Sequence, residues 1–225
     1  MARNHPGVLR FMGTFLRQPD VVGAVLPSSR RLAEHLIRPF KQRTRPAKVL
    51  ELGAGTGAVT MPLGHELGPE DELDIFEIQP ELVHHLEKQV LSQPQFDRAR
   101  REGRVKLYGR AVQEIGTDRR YDFVISGLPF TAFDESQLSS VLALLPAIVM
   151  PGGIFSYFEY VALRRLRSLG SFGTARRRRR AVDAILDDYI ERFEIDRRTV
   201  LANFPPAFAR HWRFDAPQGA TLRQR

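Results

Sequence analysis

The sequence predicts an α/β fold: a mostly parallel, Rossmann-like sheet with helices on both faces, closed by a C-terminal antiparallel hairpin and preceded by an N-terminal amphipathic helix. Three observations carry this. Short apolar runs alternate with helical patterns from Lys48 onward, as βαβ units do. A glycine-rich turn, Gly53–Gly57, joins the first apolar run to the first helix of that series. Two β-rich runs near the C-terminus have no helix between them.

Lys48–Leu52 reads as a buried strand ending in the glycine-rich turn, and Ala58–Leu67 as the helix that follows. Glu72–Ile78 is a second strand. Pro80 opens a helix through Val90, since its missing N–H costs nothing at the first position. Leu82, Val83 and Leu86 form the helix's apolar face. Val105–Tyr108 and Tyr121–Ser126 are the third and fourth strands, the latter ending at Gly127–Pro129. Glu135–Leu145 is helical. Gly152–Tyr160 is a fifth strand after the Pro151–Gly153 turn. Thr199–Phe204 and Phe208–Phe214 flank Pro205–Pro206 and pair as the hairpin. Helical pieces at 6–40 and 175–193 lie outside this series. Nothing resembles a flexible linker, so residues 1–225 form one domain, with a helical cap over 1–45 and a core over 46–216.

Composition narrows the function. The chain has 225 residues, 43% of them hydrophobic, enough for one full core. Cysteine is absent, which excludes disulfides, thiolate metal sites and a cysteine nucleophile. The longest apolar run, Val141–Met150, is too short to span a bilayer, which needs about 20 residues, and contains Pro146. The net charge of +8 favours polyanionic partners, either nucleic acid or an anionic membrane. Lysine occurs only at 41, 48, 88 and 106, so the charge is nearly all arginine.

The strongest chemical signal is Glu51-Leu52-Gly53-Ala54-Gly55-Thr56-Gly57. Glycines between a strand and a helix allow a tight turn and let the backbone approach a ligand. Glu77, at the end of the second strand, is placed to accept two ribose hydroxyls. The same residues satisfy a dinucleotide fingerprint, with an acidic residue about 20 positions on. The lack of a second domain and the C-terminal hairpin weigh against a dehydrogenase.

With these residues in view, the chain resembles the class I S-adenosylmethionine-dependent methyltransferases, where an acidic residue like Glu51 precedes the glycines. Two groups within them are similar to it: the ribosomal RNA adenine dimethyltransferases and the bacterial phospholipid N-methyltransferases. The second similarity is the fuller. It rests on Gly23-Ala24-Val25-Leu26-Pro27-Ser28-Ser29, Ser126-Gly127-Leu128-Pro129-Phe130 and Asn203-Phe204-Pro205-Pro206-Ala207. Adenine-methylating enzymes carry Asn where this chain has Gly127, because a conjugated amine needs that acceptor and an alkyl amine does not. The last strand ends near Phe214, eleven residues before the C-terminus, which leaves no helical domain of the RNA-enzyme kind.

The resemblance implies S-adenosylmethionine as cofactor and S-adenosylhomocysteine as product. It assigns the cofactor to Ser28, Ser29, Glu51, Gly53, Gly55, Gly57, Glu77, Ile78, Ala111, Val112 and Ser126, with no metal. Relatives place Asp where this chain has Arg110, so adenine recognition falls to backbone groups near Ala111 and Val112 or to another side chain. At the acceptor end, carbonyls of Gly127 and Leu128 would receive amine hydrogens, and Phe130 would face the headgroup cation. Tyr157 and Tyr160 lie near the carboxyl edge of the sheet, as lining or as packing residues. Arg30, Arg31 and Arg210 are candidates for the lipid phosphate.

Two segments suit a membrane surface. Residues 6–17 set Val8, Leu9, Phe11, Met12, Phe15 and Leu16 against Arg10 and Arg17. Arg176–Arg180 opens a helix with its charges against the dipole, a cost that anion contact would offset. The expected partners are a phospholipid substrate and an anionic bilayer, not nucleic acid. The expected location is cytoplasmic, peripheral on the inner face of the cell membrane.

Overall fold

The structure, a computed structural model, describes residues 29–130, 133–161, 174–203 and 205–215. Residues 6–17, Ser28 and the side chains of Arg176–Arg179 lie outside the described residues. Five parallel strands, β1 (Lys48–Leu52), β2 (Glu72–Phe76), β3 (Val105–Tyr108), β4 (Tyr121–Ser126) and β5 (Val149–Tyr160), are joined by β6 (Glu194–Val200) and β7 (Ala207–Phe214) in one sheet. The order is β3-β2-β1-β4-β5-β7-β6, with β7 antiparallel to both its neighbours. The chain winds outward from β1 to β3 and then returns to β4. The order therefore reverses between β1 and β4, which opens a crevice at their carboxyl ends.

Central parallel strands are buried on both faces, so their side chains are mostly apolar whichever way they point. One face packs Val49, Ile75, Ile125 and Phe158 against α1 (Arg30–Leu36), α2 (Arg38–Lys41), α3 (Thr60–Glu66) and α5 (Pro94–Arg101). Between α3 and α5 the chain forms α4 (Pro80–His85), continued by a π-turn over Leu86–Val90. The other face packs Leu50, Val124, Phe155 and Trp212 against α6 (Glu135–Leu142), α7 (Leu145–Ile148) and α8 (Thr174–Phe193). Caps fix two of these helices. Ser29 Oγ accepts the Leu32 N–H at 3.2 Å to start α1. Asp134 and Gln137 exchange bonds of 2.8 and 2.9 Å in a capping box that starts α6.

Four differences from the sequence expectation have local causes. The helix expected over 135–145 breaks before Pro146, which cannot continue it. Helix α5 was not anticipated, because only Phe96 and Ala99 are buried in an otherwise polar segment. Strand β2 stops at Phe76, because Ile78 and Gln79 turn their N–H groups onto Glu77. The sixth strand begins at Glu194 and ends at Val200 rather than running from Thr199 to Phe204. It is an edge strand whose Asp196, Arg197 and Arg198 hide it from a hydrophobicity pattern.

Candidate functional site

The crevice at the β1/β4 switch point is walled by the glycine loop. Gly53, Gly55 and Gly57 have φ of 68°, 59° and 84°, values that side-chain-bearing residues rarely adopt. The Gly53 N–H donates to the Phe76 carbonyl at 2.8 Å, tying β1 to β2. The buried Glu77 carboxylate accepts from Gly55 N–H at 2.9 Å, Ile78 N–H at 2.8 Å and Gln79 N–H at 2.9 Å. A carboxylate offers about four lone-pair sites. A ribose would therefore share Glu77 with the loop that it anchors.

Glu51 sits beneath this loop at 1% exposure. Its Oε2 accepts the Thr60 hydroxyl at 2.8 Å, and Oε1 has no partner among the described residues. Burial pushes its pKa up to about 8, and the nearby Glu77 charge adds to the shift. At neutral pH it is mostly a neutral acid, poised to ionise beside a cation. The positive-φ cradle and the orphaned carboxyl oxygen both fit a cofactor bearing an ammonium and a sulfonium.

Next to Gly53, the side chains of Phe76, Ile78, Val112, Leu128, Phe133 and Val141 line a flat apolar slot. It is narrow, about 20 Å³. Its polar members are Arg110, Gln113 and Gln137, with the Ala111 backbone alongside. Arg110 cannot accept a hydrogen bond, and Gln137 Oε1 is already taken by Asp134 N–H. Gln113 is exposed and has no intramolecular partner among the described residues, which makes it the candidate acceptor for an adenine amine. Phe76, Gln113 and Phe133 were not singled out from sequence. The capping box around Asp134 was the available signal for the slot's far wall.

The end of β4 forms the other side. Gly127 N–H donates to the Leu52 carbonyl at 2.8 Å. A Cβ built on Gly127 would overlap the Gly53 carbonyl oxygen, a backbone atom that cannot swing aside. Ser126 Oγ accepts Leu128 N–H at 3.2 Å, and the Leu128 carbonyl accepts Phe130 N–H at 3.0 Å. Phe130 is buried, with ring centroids 5.4 Å from Tyr157 and 5.6 Å from Phe133. Tyr157 also packs edge-on to Trp212 at 4.7 Å.

The structure thus brings Gly127, Leu128, Phe130 and Tyr157 together, with the aromatic rings as packed walls. It does not bring Tyr160 to them. Strand alternation turns Tyr160 to the opposite face, against Phe158 and near Val200. Ser29 is also placed differently. Its side chain caps α1 and its N–H donates to Asn203 Oδ1 at 2.9 Å, with no hydrogen bond to the glycine loop among the described residues. This bond joins the start of α1 to Asn203. Arg210 is no phosphate ligand: it is buried, bonded to Glu159 at 2.9 Å and Glu194 at 2.5 Å. Arg30 and Arg31 are exposed at the start of α1. Of Arg176–Arg180, Arg180 is exposed.

No protein-family model matches the chain. An ornithine lipid N-methyltransferase from Singulisphaera acidiphila is 27% identical over 146 residues, which is 65% of this chain and 74% of that protein. Among solved structures, the 1,6-didemethyltoxoflavin-N1-methyltransferase of Burkholderia thailandensis, with bound S-adenosylhomocysteine, aligns at a TM-score of 0.60 and 18% identity. That alignment covers 96% of this chain and 92% of that one. The N-methyltransferase NodS from Bradyrhizobium japonicum, in complex with S-adenosylhomocysteine, aligns at 0.52 and 14% identity, covering 83% and 85%. The fold is that of class I S-adenosylmethionine-dependent methyltransferases. No helix among the described residues is long and apolar enough to cross a membrane. Nor does any cluster there suit a metal ion.

Proposed function

We propose that the protein transfers methyl groups from S-adenosylmethionine to the amine of phosphatidylethanolamine and of its mono- and dimethyl forms, making phosphatidylcholine on the inner face of the cell membrane. The observation that carries the choice of an alkyl amine is Gly127. Its Cβ position is filled by the Gly53 carbonyl, so the acceptor side chain that a conjugated amine needs has no room. The sequence similarity to an ornithine lipid N-methyltransferase supports a lipid acceptor.

S-adenosylmethionine, when bound, supplies an electrophilic methyl on sulfur. The protein's part is proximity and orientation. Gly53, Gly55 and Gly57 would hold the methionine and ribose end, and Glu77, which fixes the loop, would share the ribose. The carbonyls of Gly127 and Leu128 orient the neutral amine, with Phe130 and Tyr157 behind them as a rigid wall. The amine loses a proton to water before attack, favoured by desolvation. Its lone pair would then be free to take the methyl group that the bound cofactor would supply, with the thioether as the leaving group. Residues 6–17 and the Arg176–Arg180 run hold the protein to anionic lipid.

The alternative is RNA adenine N6-methylation, for which the net charge of +8 is as suited as it is for an anionic membrane. One experiment separates them. Methyl-labelled cofactor is incubated with phosphatidylethanolamine vesicles, ornithine-lipid vesicles or ribosomal RNA, and the products are resolved. Label in methylated phosphatidylethanolamine is expected. Label in ornithine lipid alone keeps the lipid-amine class and replaces the substrate. Label in N6-methyladenine alone overturns the proposal.

A further inference from the structure

A second cavity, of about 390 Å³, lies at the amino edge of the parallel strands, opposite the glycine loop. Its walls come from the start of β4 at Asp122, the Gly152–Gly153 turn of β5, Asp196 on β6 and His211 and Arg213 on β7. The α2–β1 connection adds Arg43 and Arg45, and α2 adds Arg38. Strands of about five residues at 3.3 Å each put it about 16 Å from the cofactor crevice, and the function proposed above makes no use of it.

The cavity is rich in donors and poor in acceptors. Asp122 has both oxygens occupied, by Arg45 at 2.6 Å and by the Lys48 N–H at 2.9 Å. Asp196 Oδ2 is shared by Arg38 and Arg198. Three guanidiniums, those of Arg38, Arg45 and Arg213, face these two carboxylates with five donors each, while Arg43 is engaged by Asp71 and by the Phe40 and Glu66 carbonyls. Arg213 has no ion-pair partner among the described residues, and Arg38 Nε is buried without an acceptor. Arg45 is 71% exposed, so its pair with Asp122 is weak and exchangeable. At the floor, His211 is 1% exposed. Its Nδ1 lies 2.8 Å from Ser156 Oγ, and its Nε2 is buried without a partner. If the Ser156 hydroxyl donates to Nδ1, the ring proton sits on Nε2 and adds one more donor. Pro39, Phe123 and Ile154 provide an apolar flank.

We propose that this cavity binds the phosphate group of a phosphate monoester, with Arg38, Arg45 and Arg213 as its cationic ligands and His211 Nε2 as a buried donor. Forked guanidiniums match phosphate oxygens bidentately, and the apolar flank takes the organic part. The phosphate of a lipid being methylated cannot reach it, since its amine is at the other end of the sheet. The occupant is a soluble ester or a second lipid headgroup.

The test titrates the full chain with inorganic phosphate, with glycerol phosphate, and with vesicles containing phosphatidic acid, whose headgroup is a phosphate monoester. The readouts are the His211 ring and Arg38 Nε–H nuclear resonance signals, and vesicle sedimentation. Saturable shifts of those signals with either soluble probe are expected, weakened at least tenfold by Arg213→Glu and by Arg45→Glu. Both residues are outside the cofactor crevice, so S-adenosylhomocysteine affinity and melting temperature should stay at wild-type values and report an intact fold. Vesicle binding lost in both variants, with no response to soluble probes, would identify a lipid headgroup as the source. No saturable shift at millimolar phosphate, together with unaltered vesicle binding in both variants, would overturn the site.

Discussion

Replacing Glu77 with Gln isolates the hinge between the cofactor loop and the sheet. The wild-type carboxylate takes Ile78 and Gln79 on Oε1 and Gly55 on Oε2. Glutamine keeps the volume and one carbonyl oxygen, which can go on serving Ile78 and Gln79. Its amide group then points N–H at the Gly55 N–H, two donors facing each other. One charge-assisted bond is lost, worth about 1.5–3 kcal/mol. The loop retains Gly53 N–H on Phe76 at 2.8 Å and Gly57 N–H on Ala54 at 2.9 Å, so the fold survives and the cost falls on the Gly55 segment. A ribose drawing on the same carboxylate feels that loss directly. The expected result is an S-adenosylhomocysteine affinity lowered about 10–100-fold by calorimetry, with a melting temperature within a few degrees of wild type. Glu77→Ala orphans all three N–H groups and should lose more in both readouts. A Gln variant that binds within about twofold of wild type would refute this account of Glu77.

Three other outcomes are expected. Glu51, neutral near pH 7 with a pKa of about 8, should ionise beside a cationic cofactor. Binding should then release close to one proton, and affinity should rise by up to about tenfold per unit between pH 6 and 8. Calorimetry in buffers of differing ionisation enthalpy measures this, and Glu51→Gln should abolish it. His211 is pushed down to about 4 by burial. The unfolded chain takes up the proton first, so stability is full above pH 6.5 and falls as pH drops to 4. The loss is about 3 kcal/mol, read by urea unfolding at the two pH values, and a flat profile in wild type would contradict it. Deleting residues 1–17 should abolish vesicle sedimentation and lipid methylation while cofactor affinity stays unchanged. Normal vesicle binding by the truncated protein would remove the anchor from the account.

The central strands Lys48–Leu52 and Tyr121–Ser126 were legible from hydrophobicity and match at both ends, as does the short edge strand Val105–Tyr108. The glycine loop was legible because its three positive-φ positions admit little else. Strand β6 was displaced because an edge strand wears charged residues. Arg210 was misjudged for a related reason. Its burial follows from the β5–β7 register, which sets it across from Tyr157 and near Glu159, and no local pattern encodes that pairing. Tyr160 required only strand alternation from Tyr157, which places the two on opposite faces. At Gly127 the sequence supplied the missing Asn, and the packing of its backbone on Gly53 supplies the physical reason.

The central claim is that the crevice methylates a lipid amine. It is tested most directly by expressing the full chain in a bacterial host whose membranes contain phosphatidylethanolamine but no methylated derivatives. Lipid extracts and ribosomal RNA are then analysed by mass spectrometry. The account predicts mono-, di- and trimethylated phosphatidylethanolamine in the extract, absent when Gly55 is replaced by a side chain that its φ of 59° disfavours, and no new methyladenine in the RNA. Unmodified lipids alongside new N6-methylated adenine would contradict it.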